Sequence, residues 1–100
     1  MRMKINKQIL RNLPDDLPVE KTHLLLYYIK SKYSVDAGII FDKGELFIET
    51  YSGYQKLDDG TLQPKVVSPP FTAEELEQNF VREWKTYLQK LLDESQNMEE

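Results

Sequence analysis

The chain has no cysteine, a single histidine, one tryptophan and only four glycines. Without cysteine there is no disulfide framework, no thiolate-held zinc and no thiol nucleophile. With His23 alone there is no HExxH and no histidine pair to share a metal. The scattered glycines form neither GxGxxG nor GxxxxGK, so no backbone cradle for phosphate is present. The longest apolar run, Leu24 to Ile29, is six residues, far short of the roughly 20 that cross a bilayer. No apolar signal-peptide core follows the charged N-terminus, so the expected location is the cytoplasm. No cofactor, metal site or catalytic residue is expected.

What is present suffices for a core. Ile, Leu, Val and Phe make up 28 of the 100 residues, above the roughly 20% below which strongly charged chains stay disordered. Surface scaling for this mass gives about 11,000 Å² buried on folding, about 65% of what the open chain exposes. Residues 1–100 therefore read as one small domain, with 94–100 as a frayed acidic tail. The net charge of −4 is unevenly spread. Residues 1–35 carry seven bases against three acids, and the rest carry six against fourteen.

The plainest element is a long C-terminal helix, Ala73 to Asp93. Thr72 and Glu75 stand at the two positions of a capping box, and Phe71 and Leu76 at those of a hydrophobic staple. Leu76, Phe80, Trp84, Tyr87 and Leu91 share one face at 100° per residue, widened by Val81, Leu88 and Leu92. A second helix is expected from Leu17 to Tyr33, capped by Asp15 or Asp16 with Pro18 in its first turn. Val19, Thr22, Leu25, Leu26, Ile29 and Tyr33 form an arc that should face the C-terminal helix. Leu24 and Tyr28 form a separate flank, which is either buried or free for a partner. Ile5, Ile9 and Leu13 suggest a weaker helix over Lys4–Leu13, ended by Pro14.

The middle is β. Gly38–Phe41 and Glu45–Glu49 flank Asp42-Lys43-Gly44 as a hairpin. Asp58-Asp59-Gly60 can turn Tyr54–Leu57 back against Leu62–Val67, where Pro64 demands an edge strand. Both faces of the first hairpin are partly apolar, so the face away from the C-terminal helix needs the second helix or a partner. The fold class is α+β: an N-terminal helical pair, an antiparallel meander of two to four strands, and a long amphipathic C-terminal helix packed on the sheet.

Functional signals are few. His23 has Glu20 and Tyr27 on its side of the helix but no companion nucleophile. Asp58-Asp59-Gly60 lacks the alternating ligands of a calcium loop and reads as a turn. Tyr51-Ser52-Gly53-Tyr54 is either a turn between strands or a recognition loop. Adjacent Tyr27 and Tyr28 point about 100° apart and cannot both enter one core stripe.

The reading that results is a non-enzymatic protein–protein interaction or assembly module, a homo-oligomer in its simplest form. Its expected partner surface is Leu24, Tyr27, Tyr28, Phe47, Trp84, Leu88 and Leu92, with a two-fold axis pairing C-terminal helices. Viral and mobile-element accessory proteins are often short charged chains of this kind. The alternative is a nucleic-acid-associated, winged-helix-like factor that sets Arg2, Lys4, Lys7, Arg11 and Lys43 on phosphates. Its candidate recognition helix offers few of the Arg, Lys, Asn or Gln side chains that read base edges.

Overall fold

A computed structural model describes residues 2–98. Its element order is β1 (Arg2–Ile5), α1 (Gln8–Arg11), α2 (Lys21–Tyr33), β2 (Asp36–Asp42), β3 (Glu45–Lys56), β4 (Leu62–Val67) and α3 (Ala73–Met98). The four strands form one antiparallel sheet around β3. Strand β2 pairs along one edge of β3, from Asp36 opposite Tyr51 to Asp42 opposite Glu45. The other edge is shared end to end. β1 pairs with Leu46–Glu49 and β4 with residues from Thr50 to Lys56. The class is α+β, with a small antiparallel sheet, short N-terminal helices and the long C-terminal helix against it.

β1 takes the first two residues of the expected Lys4–Leu13 helix. Arg2-Met3-Lys4-Ile5 alternates polar and apolar, and the free edge of β3 accepts that period of two. Met3 and Ile5 then turn inward, with Ile5 buried and Met3 packed on the core. Helix is left only to Gln8–Arg11, where the Asn6 side chain accepts the Gln8 amide at 3.0 Å. Helix α2 starts at Lys21 rather than Leu17. Asp15 does not cap it but binds Lys21 Nζ at 2.9 Å, turns and bends occupy the segment before it, and Glu20 at its start has extended backbone. The two-residue turn Lys43-Gly44 has positive φ at both positions, 53° and 78°, as a type I′ hairpin requires.

Leu46, Ile48 and Thr50 of β3 are fully buried, and Ala37 and Ile39 of β2 pack on the same core. All three helices lie on this side. α2 sits between β2 and α3 and buries both of its apolar stripes, with Leu24, Leu25, Tyr28 and Ile29 all at 0% exposure. Tyr33 of the expected arc does meet α3, its hydroxyl accepting from Asn79 Nδ2 at 3.2 Å, but so does Tyr28 from the other flank. Its ring stands edge-on to Phe80 and Tyr87, with centroids at 5.3 and 4.6 Å. Its hydroxyl donates to Glu83 Oε1 at 2.6 Å, an oxygen that also accepts from Lys32 Nζ at 2.6 Å.

Helix α3 begins as expected. The Glu75 amide donates to Thr72 Oγ1 at 3.1 Å, and Phe71 and Leu76 are both buried. Val81, expected in its buried stripe, is 58% exposed. The helix continues to Met98 through most of the segment expected to fray, and residues 99–100 lie outside the described residues.

Candidate interaction surface

Side chains alternate across a strand, so the residues between the buried ones of β3 point away from the helices. Glu45, Phe47, Glu49 and Tyr51 form this outer face, with Ile40 opposite Phe47 and Gly38 opposite Glu49. No helix covers it. The Tyr51 ring lies back over Gly38, where an added Cβ would meet the ring's oxygen at 3.0 Å. Tyr51 donates to Glu49 Oε1 at 2.7 Å, and that bond together with burial raises its pKa above the usual tyrosine value. Nearer the β2–β3 turn, Arg2 crosses from β1 over the Phe47 ring, 4.2 Å from its centroid, to reach Asp42 Oδ2 at 2.7 Å. Lys4 lies 3.6 Å from Glu45.

Beyond Tyr51 the sheet narrows to the β3–β4 ribbon, and every residue from Ser52 to Val66 is exposed. Tyr51 pairs with Val66 and Tyr54 with Pro64, so Ser52 and Gly53 together oppose Lys65. This is a β-bulge, with Gly53 at φ +69°. At the tip the Leu57 amide bonds Thr61 O at 2.8 Å, and Asp59 accepts the Thr61 amide at 2.9 Å. The large hydrophobic side chains left exposed are Phe41, Tyr54, Leu57, Leu62, Val66 and Val81, and four of them lie on this arm. Tyr54 is 71% exposed and Leu62 64%. The pairing puts Tyr54, Leu62, Pro64 and Val66 on one face, in line with Tyr51 and Phe47.

The residues expected at a partner surface divide. Leu24 and Tyr28 belong to the core and are corrected on that ground, because α2 has packed neighbours on two sides. Tyr27, Trp84, Leu88 and Leu92 are half-buried, the first three against the core's edge. Burial and the nearby Glu94 raise the Tyr27 pKa. Only Phe47 lies on the outer face. The arm was missed as a site because Tyr51-Ser52-Gly53-Tyr54 is neither turn nor loop but a bulge inside one strand. Its signal was present in the Gly between two tyrosines and the spaced Leu62, Pro64 and Val66.

Of the basic residues, Arg2, Lys4, Lys7 and Lys43 gather around the β2–β3 turn, while Arg11 stands apart at the end of α1. Arg2 and Lys4 face carboxylates, and Lys7 Nζ donates to Gly44 O at 2.8 Å. The hairpin around Asp42-Lys43-Gly44, where a winged-helix reader would carry its wing, is built into the four-stranded sheet. His23 is exposed and lines a concavity of ≈700 Å³ formed by residues between Pro14 and His23. Among the described residues no three acidic or histidine side chains converge as metal ligands. Among the described residues no helix is long and apolar enough to cross a membrane. No family model matches the chain, and no curated protein and no solved structure matches it.

Proposed function

We propose that this protein is a non-enzymatic interaction or assembly module, acting in the cytoplasm, whose contact surface is the outer sheet face extended by the β3–β4 arm. One observation carries the reading. Once the core has closed, four of the six large hydrophobic side chains left exposed among the described residues lie on a ribbon that has solvent on both sides, and Tyr54, Leu62 and Val66 share one face of it. An isolated two-stranded ribbon is marginal in water, and contiguous exposed apolar patches mark contact surfaces. The basic cluster supports the nucleic-acid alternative less well, because Arg2 and Lys4 are matched by Asp42 and Glu45.

The test is affinity capture from the native host with three forms: wild type, an arm variant carrying Tyr54→Lys and Leu62→Lys, and a control carrying Val81→Lys on α3. All three positions are exposed, so folding is retained. Specific partners held by wild type and control but not by the arm variant support the module. An identical set on all three forms sinks it.

A further inference from the structure

Resting on that reading, we infer that the occupant of the surface is a second copy of this chain, stacked outer face on outer face about a two-fold axis near Tyr51. Charge is the first reason. The molecule carries −4 overall, so a face that meets its own copy must be close to neutral. On the outer face Arg2 is matched by Asp42, Lys4 by Glu45 and Asp36 by Lys30, while Glu49 and Lys56 add one charge of each sign. Like copies can meet there because the face as a whole is neutral.

Area is the second reason. The accessible surface is 6721 Å², about 800 Å² more than the roughly 5,900 Å² of a compact monomer of this mass. The radius of gyration, 14.8 Å, likewise exceeds the about 13 Å of a compact 100-residue domain. A standard interface removes about 800 Å² from each partner.

Geometry is the third. Tyr51 stands near the middle of the 12-residue β3, a strand about 40 Å long. A two-fold axis there lays each arm along the other copy's Ile40–Phe47 strip, so that Tyr54, Pro64 and Val66 of the arm cover Ile40 and Phe47. Two sheets packed in this way sit about 10 Å apart with strands near −30°. Edge-to-edge pairing is the poorer route. An antiparallel β2–β2 contact centred on Ile39 sets Asp36 opposite the second copy's Asp42, and β4 is interrupted by Pro64.

The experiment is sedimentation equilibrium on the full chain, with far-UV circular dichroism to verify folding. Wild type should sediment as a dimer of the 11.8 kDa chain, and Val81→Lys should behave identically. Tyr54→Lys with Leu62→Lys should weaken association on the order of 100-fold, two unpaired charges being driven into an apolar contact. A wild-type monomer at all accessible concentrations overturns the self-stacking. In that event arm-dependent capture of another protein would leave the interaction reading standing. A dimer indifferent to both arm substitutions overturns this inference, and if capture is equally indifferent the module falls with it.

Discussion

Tyr51 and Tyr54 share one face of β3 although they stand three positions apart. An odd spacing in a regular strand would set them on opposite faces. The extra residue of the Ser52-Gly53 bulge rephases the strand, so that Tyr51 opposite Val66 and Tyr54 opposite Pro64 stand in line. The continuity of the apolar strip, and with it the contact surface, depends on this single insertion.

Gly53 holds the bulge at φ +69°, where a β-branched side chain costs about 1–2 kcal/mol. Nothing lies within 4 Å of where its Cβ would stand, so the effect of Gly53→Val comes from the backbone alone. Hydrogen exchange should quicken for amides of the arm, residues 52–66, and leave Leu46–Thr50 unchanged. Equal loss of protection in the body would mean that the arm and the sheet open together.

The contact between α2 and α3 turns on Glu83. Tyr28→Phe removes one hydrogen bond to a charged acceptor, worth about 1.5–3 kcal/mol, and falls toward the lower figure because Lys32 still binds the carboxylate. Glu83→Ala should destabilise more, since it leaves the fully buried Tyr28 without an acceptor for its hydroxyl. Urea midpoints of the two variants give the order, and a Glu83→Ala protein as stable as Tyr28→Phe would contradict it.

The same group sets a pH dependence. The Lys32 hydrogen bond, then the Tyr28 one, holds the Glu83 pKa below its ordinary 4.5. A depressed carboxylate pKa stabilises the fold above the unfolded value, and that stability is lost as pH falls through the folded one. Lys32 is raised above 10.5, chiefly by its bond to Glu83, so its contribution holds below that value and fades as pH rises through the folded pKa. Between about pH 5 and 10 the pair is at full strength. Urea titrations at pH 6 and pH 3 should show wild type losing more stability than Glu83→Gln; parallel losses would show that the pair is energetically silent.

How much of this was legible beforehand depended on whether a signal was local. Thr72, Phe71 and Leu76 announce the start of α3 through neighbours within one turn, and Lys43-Gly44 announces the β2–β3 hairpin in the same way. β1 was hidden because Ile5, Ile9 and Leu13 fit a helical period as well as Met3 and Ile5 fit a strand. The choice was made by the free edge of β3, some 40 residues away. Tyr28 was misplaced because 100° geometry gives the angle between two stripes and not which neighbour each will meet. The arm's tip was legible, because Asp58-Asp59-Gly60 turns Tyr54–Lys56 onto Leu62–Pro64 as expected. Its continuity with the body was hidden: a bulge inside a strand and a turn between strands use the same Ser-Gly, and only the pairing on both sides of it distinguishes them.

The last prediction concerns the basic residues near the N-terminus. Were they a phosphate-binding patch, duplex binding would weaken with salt at a slope of about −0.9 per neutralised phosphate, and removing a lysine would flatten that slope by about one unit. Here Arg2 is engaged by Asp42 and Lys4 stands beside Glu45, so a phosphate would have to displace a carboxylate at each. The expected result is no retention on duplex DNA or RNA at 50 mM salt beyond that of an acidic control, and no change on Lys4→Ala with Lys7→Ala. Conversely, Asp42→Asn with Glu45→Gln should release Arg2 and Lys4 and create weak, salt-sensitive retention where wild type has none. Salt-dependent binding by wild type that disappears with Lys4 and Lys7 would show instead that these ion pairs open to admit nucleic acid.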